Sequence, residues 1–438
     1  MKTIKVGLLG CGTVGTGVAK MLIENADIIT KRVGANIILS KIADIDKNKD
    51  RGINFGEGVF ISDSYKVVND PEIDIIVELI GGETIAKDLI LLAIENGKHI
   101  VTANKALLAN QGDEIFSACE KKNIDIAYEA SVAGCIPIIK TIRESLAGNQ
   151  IKSMTGILNG TCNYILSKIT NDNISYMDAL SQAQAKGYAE ANSFLDVEGY
   201  DAAHKLAILT TLSYGTKINV KDIYTEGISK ISPLDIEFAE QFGYKVKLLA
   251  ISKNWGDSIE ARVHPTMIPF ENLLSNVNDS LNAVTISGDR SGDIMLYGYG
   301  AGMMPTASAV VGDIIDIARN IMLGSKGRIP LLSFKMENIK TIPIKPVDEV
   351  FTYYYFRFSA VDRPGVLSKI SGILGTYGIS IKSVQQKYRK SKGMVPVIMF
   401  TYKAKEADVK KALSEIYHTD IINDYPILIR IEEIDDEN

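Results

Sequence analysis

The sequence predicts an α/β protein in three parts: a doubly wound parallel-sheet domain, an α+β domain and a small C-terminal module of βαββαβ order. Three observations carry this reading. Short apolar runs alternate with amphipathic stretches over residues 2–99, the pattern of parallel strands joined by crossover helices. A glycine-rich loop follows directly on the first apolar run. A strand, helix, strand, strand, helix, strand order then restarts at Phe351.

The first domain takes its strands from the apolar runs at 4–9, 37–43, 73–79, 99–102 and 124–127. Residues 14–25, 85–96 and 106–122 carry apolar side chains at three- and four-residue spacing, which suits helices with one buried face. After Pro137 the order turns mixed. Asn159-Gly160 punctuates a hairpin or a strand-to-helix turn, and a polar stretch runs over 182–198. Residues 305–323 read as one long helix, and prolines 330, 343 and 346 mark a stiff connector after it. The C-terminal strands are expected at 351–359, 381–388, 396–402 and 427–431, with helices at 366–377 and 406–417. The domain division is therefore 1–135, rejoined by a helix at 305–325, then 136–304, a linker at 326–349, and 350–433.

Composition narrows the partners. The 438 residues are 46% hydrophobic and 23% charged with a net charge of −5, an ordinary globular balance that excludes a single small module. With no long basic run and a pI near 5.6, neither nucleic acid nor an acidic membrane surface is the expected partner, and small molecules are. No apolar run reaches the roughly 18 residues of a membrane span. The N-terminus enters a strand without a signal-peptide core, so the expected location is cytoplasmic. Cys11, Cys119, Cys135 and Cys162 lie far apart without CxxC spacing and read mostly as buried small hydrophobes. The four histidines form no HxH or HExxH pattern, which argues against a catalytic transition metal.

Gly10-Cys11-Gly12-Thr13-Val14-Gly15 fits GxGxxG between a strand and a helix. Glycines there permit the tight turn and let backbone amides approach a pyrophosphate at the helix N-terminus, as in Rossmann-type dinucleotide-binding domains. Asp44, at the end of the second strand, suits the ribose 2′-hydroxyl or serves as a loop cap. Lys47, Lys49 and Arg51 follow closely and offer partners for a 2′-phosphate, so NAD and NADP both stay open.

The stretch from Ala183 to Lys205 concentrates polar residues ahead of an otherwise apolar helix, with a G-x-D-x-x-x-K pattern at Gly199, Asp201 and Lys205. Together with the glycine loop, Thr102-Ala-Asn-Lys105, Glu129-Ala-Ser-Val132-Ala-Gly134-Cys-Ile136-Pro137, Asn159-Gly160-Thr161 and Gly298-Tyr-Gly300-Ala-Gly302, it resembles homoserine dehydrogenase over the whole catalytic part. One departure stands out: Asn192-Ser193 replaces the usual Asp-Pro. The resemblance implies reversible, NAD- or NADP-dependent hydride transfer between homoserine and aspartate 4-semialdehyde, on the path to threonine and methionine. It also implies substrate contacts from Gly187, Glu190, Asn159, Gly160, Thr161 and Asp201, and cofactor contacts from Thr102, Ala103, Lys105 and Gly302.

The chemistry agrees with that implication. Asp201 and Lys205 are four apart, so on a helix they share a face. Carbonyl reduction needs a proton for the developing alkoxide, and an ammonium both polarises the oxygen and supplies that proton, which makes Lys205 the proton donor. An ordinary lysine is almost wholly charged at neutral pH, and burial or a second nearby amine favours the neutral form that alcohol oxidation requires. Lys105, at the carboxyl edge of the sheet, is the candidate second amine. Glu190 is expected to accept the substrate ammonium and Asp201 to orient the substrate. His204 points roughly 100° away around the helix and reads as structural.

By the same resemblance, Glu129, Val132, Gly134 and Ile136 hold a monovalent cation, Na+ or K+, through backbone carbonyls and one carboxylate. The C-terminal turn Asp362-Arg-Pro-Gly365-Val366-Leu367 resembles an ACT domain, an amino-acid-sensing module. Threonine is the expected effector, and a homodimer or homotetramer the expected assembly. Two competitors remain: a dehydrogenase for another amino-acid semialdehyde, and a non-catalytic amino-acid or dinucleotide sensor. The joint presence of Lys105, Glu190, Asp201 and Lys205 speaks against the sensor.

Overall fold

Thr3–Leu9 (β1) opens the fold as an almost wholly buried apolar strand, in a computed structural model that describes residues 1–46, 49–386 and 393–433. The elements that follow are α1 (Thr13–Glu24), α2 (Ala26–Val33), β2 (Asn36–Ala43), β3 (Phe60–Ile61), α3 (Ser64–Val68), β4 (Ile75–Glu78), α4 (Thr84–Glu95), β5 (His99–Thr102), α5 (Lys105–Lys122), β6 (Ile126–Ala127), α6 (Ile138–Lys140) and β7 (Ile151–Ile157). Next come α7 (Gly160–Asp172), α8 (Tyr176–Ala185), α9 (Phe194–Val197), α10 (Tyr200–Tyr214), β8 (Tyr224–Thr225), α11 (Pro233–Gln241), β9 (Tyr244–Asn254), β10 (Ile259–Pro269), β11 (Leu281–Gly288), β12 (Gly292–Tyr299) and α12 (Met303–Leu323). The chain ends with β13 (Phe351–Val361), α13 (Val366–Thr376), β14 (Ile381–Gln386), β15 (Met394–Thr401), β16 (Ala404–Lys405), α14 (Glu406–Tyr417) and β17 (Ile427–Ile431).

The chain divides into two compact units. One takes Met1–Gly160, Asp201–Lys221 and Leu281–Ile342; the other takes Thr161–Tyr200, Asp222–Ser280 and Pro343–Asn438.

In the first unit, six parallel strands run in the order β3-β2-β1-β4-β5-β6. Strand order reverses between β1 and β4, which opens a crevice at the carboxyl ends where ligands of such folds bind. Ile4, Val6, Leu8, Val77 and Val101 share one core with Val18 and Leu22 of α1 and with Val310, Ile314 and Ile317 of α12. Strands β7, β11 and β12 of this unit pair antiparallel in the order β12-β11-β7.

All five expected strands of the first domain form, although β4 and β6 are shorter than their apolar runs. Helices α2 and α3 and strand β3 were not anticipated. Helix α2 is only eight residues long and follows directly on α1, so it does not stand out as a separate element, while α3 is set by Asp63, which caps the amides of Tyr65 and Lys66. Asn159-Gly160 turns a strand into a helix rather than closing a hairpin. Cys11, Cys119 and Cys162 are buried, as small hydrophobes are, and Cys135 is half-buried. Among the described residues no helix is long and apolar enough to cross a membrane.

In the second unit the strand order is β9-β10-β17-β13-β15-β14. The C-terminal module contributes β17-β13-β15-β14, all antiparallel, and β17 pairs parallel to β10 through Thr266↔Arg430 and Met267↔Ile431. Tyr354, Phe356 and Phe358 of β13 pack on Ile370 and Leu374 of α13 and on Val409 and Leu413 of α14. The expected order is present, with one further two-residue strand, β16, between β15 and α14. Strand β14 is described to Gln386, so the last expected positions, Lys387 and Tyr388, lie outside the described residues.

A buried ion pair fastens this module to α11. Asp235, fully buried, accepts Arg357 Nε on Oδ1 (2.6 Å), Arg357 Nη2 on Oδ2 (3.0 Å) and the Tyr355 hydroxyl on Oδ1 (3.0 Å), while closing a capping box with Ser232. Removing one partner of such a pair strands the other charge, so Asp235→Ala is expected to lose about 3 kcal/mol. Denaturant unfolding of the full chain measures this, and an unchanged midpoint would show the network to be stability-neutral.

Candidate active site

The site grows from the start of α10. Gly199 sits at φ +85°, a left-handed conformation that suits glycine, and α10 begins immediately after it. Asp201 lies in its first turn and Lys205 one turn on, and both are buried. Lys205 Nζ donates to Asp201 Oδ2 (2.7 Å) and to the Leu158 carbonyl (2.6 Å) at the end of β7. Asn159 Nδ2 donates to the same Oδ2 (2.9 Å), and Lys105 Nζ lies 3.0 Å from Oδ1. Burial pushes the Asp201 carboxyl up, but the two ammonium charges and the hydrogen bonds from Lys205 and Asn159 outweigh it and hold the group well below the usual range. The stabilisation this implies is present above the ordinary aspartate pKa and is lost only as pH falls through the depressed value. His204, beside Lys205 in sequence, is half-buried, and burial lowers its pKa.

Lys105 opens α5 at the carboxyl edge of the sheet, beyond Thr102 and Ala103. Asn104 caps that helix by accepting the Leu107 amide (3.2 Å). Thr102 donates its hydroxyl to Glu78 Oε2 (2.7 Å) and accepts the Asn104 amide (3.0 Å). Sequence reasoning missed Glu78 and Asn104. The available signal was a carboxylate closing the otherwise apolar strand Ile75–Glu78.

The dinucleotide loop lies on the same edge, after β1. Gly10 has φ +91°, and a Cβ there would meet the Leu79 carbonyl oxygen at 2.6 Å; a Cβ on Gly15 would meet the Gly10 oxygen at 2.2 Å. Gly12 faces open space and caps α1 with no side-chain hydrogen bond, and the first turn through Thr13, Val14 and Gly15 carries no acid. These features fit a bound pyrophosphate. Gly302 starts α12, whose first residue, Met303, packs against Gly17 of α1.

Asp44 accepts the Cys11 amide (2.6 Å) and the Asp46 amide (2.9 Å), which makes it a clamp on the glycine loop. Arg51, expected as a phosphate partner, is instead turned inward. Its guanidinium donates to the carbonyls of Cys11, Lys49 and Asp46 and lies 4.7 Å over the Phe60 ring. Lys47 lies outside the described residues.

Glu129 opens a short 3-10 turn, and residues 132–136 follow as a tight loop with Ala133 and Gly134 at positive φ. The Glu129 carboxylate accepts the Ile139 (2.8 Å) and Lys140 (2.9 Å) amides, and burial next to Asp313 pushes its pKa up to about 7. A Cβ on Gly134 would strike the Gly300 backbone at 2.5 Å, which pins the loop bearing Val132 and Ile136.

Within the second unit, Gly187 at φ +75° closes α8, and its amide bonds the Gln184 carbonyl. Thr161 donates to the Tyr188 carbonyl (2.5 Å), tying the loop that carries Gly187 and Glu190 to the first turn of α7. Glu190 is exposed, and its carbonyl receives Gln184 Nε2 (3.3 Å). Ser193 precedes α9 without capping it, and Asn192 Oδ1 accepts the Phe194 amide (3.3 Å). In the C-terminal module, Asp362, Gly365 at φ +87°, Val366 and Leu367 line a cleft of about 560 Å3 with Gln386 and Val397.

Residues 10–129 match the family described as homoserine dehydrogenase, NAD binding domain; residues 137–315 match homoserine dehydrogenase and residues 354–417 match the ACT domain. The chain is 44% identical over 436 residues to the homoserine dehydrogenase of Neisseria gonorrhoeae, with 100% of each chain covered. It is 43% identical over 435 residues to that of Pseudomonas aeruginosa, covering 99% of this chain and 100% of the relative. The crystal structure of a homoserine dehydrogenase from Thiobacillus denitrificans is similar with a TM-score of 0.93 and 44% identity, covering 99% of both chains. Geometry, family matches and full-length relatives thus agree that the chain belongs to the homoserine dehydrogenase family of NAD(P)-dependent oxidoreductases and carries a C-terminal ACT domain.

Proposed function

We propose that the Asp201, Lys205 and Lys105 cluster performs reversible interconversion of L-aspartate 4-semialdehyde and L-homoserine, a step toward threonine and methionine. The observation that supports this most is one buried carboxylate gripped on both oxygens by two ammonium groups at the carboxyl edge of a dinucleotide-binding sheet. The bound nicotinamide, of NAD or NADP, supplies or accepts the hydride. Lysine has three N–H donors, and Lys205 directs two of them at Leu158 and Asp201, which leaves one for the substrate oxygen. That donor polarises the carbonyl and delivers the proton as negative charge develops.

Asp201 fixes the Lys205 ammonium and orients the substrate, with Asn159 as its neutral partner. Lys105 contacts cofactor and substrate. Glu190 is the proposed acceptor of the substrate ammonium, and Gly187, Gly160 and Thr161 are further proposed substrate contacts. Gly10, Gly12, Thr13, Val14 and Gly15 would hold the pyrophosphate, Asp44 the ribose, and Thr102, Ala103 and Gly302 the nicotinamide end. The carbonyls of Val132, Gly134 and Ile136 in the pinned 132–136 loop would hold a monovalent cation; with the Glu129 side chain held by two amides, that residue serves chiefly as the anchor of the loop. We divide the chain into a dinucleotide-binding domain (1–135 with 305–325), a catalytic and dimerisation domain (136–304), a linker (326–349) and an ACT domain (350–433); the family matches support the breaks near 135 and 350, while the one over 137–315 runs on into the 305–325 helix. An exposed outer strand, β12, with Tyr297 and Tyr299 at 68% and 59% exposure, supports a homodimer or homotetramer. The expected location is the cytoplasm.

Lys205→Ala is expected to lower turnover by roughly 10²- to 10⁴-fold, the usual worth of a positioned proton donor, while cofactor dissociation constants stay near wild type. Steady-state rates with NADH and NADPH, beside fluorescence titration of each, read both quantities, and near-wild-type turnover excludes the assignment. Gly15→Ala is expected to weaken binding of either cofactor, because its methyl would sit 2.2 Å from the Gly10 oxygen; unaltered cofactor affinity would contradict the loop assignment.

Threonine, the proposed effector, binds the Asp362–Leu367 turn. Deleting residues 350–438 is a poor test because it strips β17 from β10. The full-length Asp362→Ala variant is the better one, with inhibition by threonine weakened roughly tenfold or more, the worth of a hydrogen bond to a charged group. Wild-type protein that shows neither calorimetric binding of threonine nor inhibition by it rejects this effector.

A further inference from the structure

Glu78 ends β4 at the carboxyl edge of the parallel sheet with its side chain fully buried. A carboxylate in that position is costly unless donors meet its oxygens. Here Oε1 accepts the amides of Ile80 (2.9 Å) and Gly81 (3.1 Å), and Oε2 accepts the Thr102 hydroxyl (2.7 Å). All three donors are neutral: two lie in the turn that leaves β4, and Thr102 is the last residue of β5, on the ligand-binding side of the sheet.

The network then runs on toward the amine. Thr102 Oγ1 accepts the Asn104 amide (3.0 Å); the Asn104 side chain caps α5 through Leu107 (3.2 Å) and donates from Nδ2 to the Gly82 carbonyl (2.6 Å). Lys105 is the next residue, the first of α5, and its ammonium lies 3.0 Å from Asp201 Oδ1. A lysine stem is long and has many rotamers, so its charge is placed only as well as its backbone root is aimed.

We propose that Glu78 is a positioning residue for Lys105: by holding the Thr102 hydroxyl, and through it the Asn104 cap, it aims the root of α5 so that the Lys105 ammonium meets Asp201. This rests on the reading that Lys105 belongs to the active site. Acceptors are needed on both oxygens, because Oε1 meets two amides and Oε2 meets the Thr102 hydroxyl, which must donate there while accepting the Asn104 amide on its other side. A glutamine at this position turns an N–H toward either the Ile80 and Gly81 amides or the Thr102 hydroxyl, and it breaks the relay at nearly constant volume.

The test is a kinetic double-mutant cycle in the full-length enzyme. Glu78→Gln is expected to lower kcat by roughly 10- to 100-fold, the scale of a misplaced catalytic group, and to change NADH affinity by fluorescence titration no more than Lys105→Ala does. In a Lys105→Ala background the same substitution is expected to cost nothing further, because groups acting in series are not additive. Thr102→Val cuts the relay from the other side and is expected to show the same dependence on Lys105, which keeps the test open if Glu78→Gln does not fold by circular dichroism. Wild-type kcat in Glu78→Gln, or an equal multiplicative loss with and without Lys105, overturns the inference while leaving the assignment of Lys105 intact. Wild-type turnover in Lys105→Ala overturns both.

Discussion

One buried carboxylate organises the catalytic region. Burial by itself pushes the Asp201 carboxyl toward its neutral form. Two ammonium groups and an amide reverse that preference, and each comes from a different stretch of chain: Lys205 from α10, Lys105 from the start of α5, Asn159 from the turn between β7 and α7. The same contacts that keep the charge soluble in the interior therefore fix where three chemically active side chains sit.

The parallel sheet supplies the frame. Because β1, β4 and β5 run in one direction, the glycine loop, the Ile80–Gly82 turn and the Thr102–Lys105 turn all emerge on one edge. Close approach is enforced there by what is missing as much as by what is present: Gly10 and Gly15 have no room for a methyl group. Asp44 and Arg51 then lock the loop from behind by bonding the amide and the carbonyl of Cys11, so two residues that read as ligand partners act first on the backbone.

The second unit shows a comparable economy. Arg430 of β17 donates to Glu406 of α14 and to Glu226, beside β8, while Ile228 donates its amide to the Val197 carbonyl, two residues ahead of Gly199. The sheet of the C-terminal module is continuous with β10, which makes that module part of the packing of the unit rather than an appendage. An effector seated at the Asp362–Leu367 turn would act on an element already woven into its neighbours.

Local pattern alone determined the fold class, the strand-turn-helix glycine loop, the shared helical face of Asp201 and Lys205 and the βαββαβ order, because each is set by periodicity or turn chemistry within about twenty residues. Elements as short as α2, with eight residues, and β3, with two, span too few residues to read as separate units. Tertiary structure alone decided that Lys105 reaches the Asp201 carboxylate from 96 positions away in sequence, that Arg51 faces inward, and that Glu78 is buried behind Thr102. Those outcomes depend on which oxygens and donors meet once the layers pack, and a sequence carries no distance between side chains that are far apart along the chain.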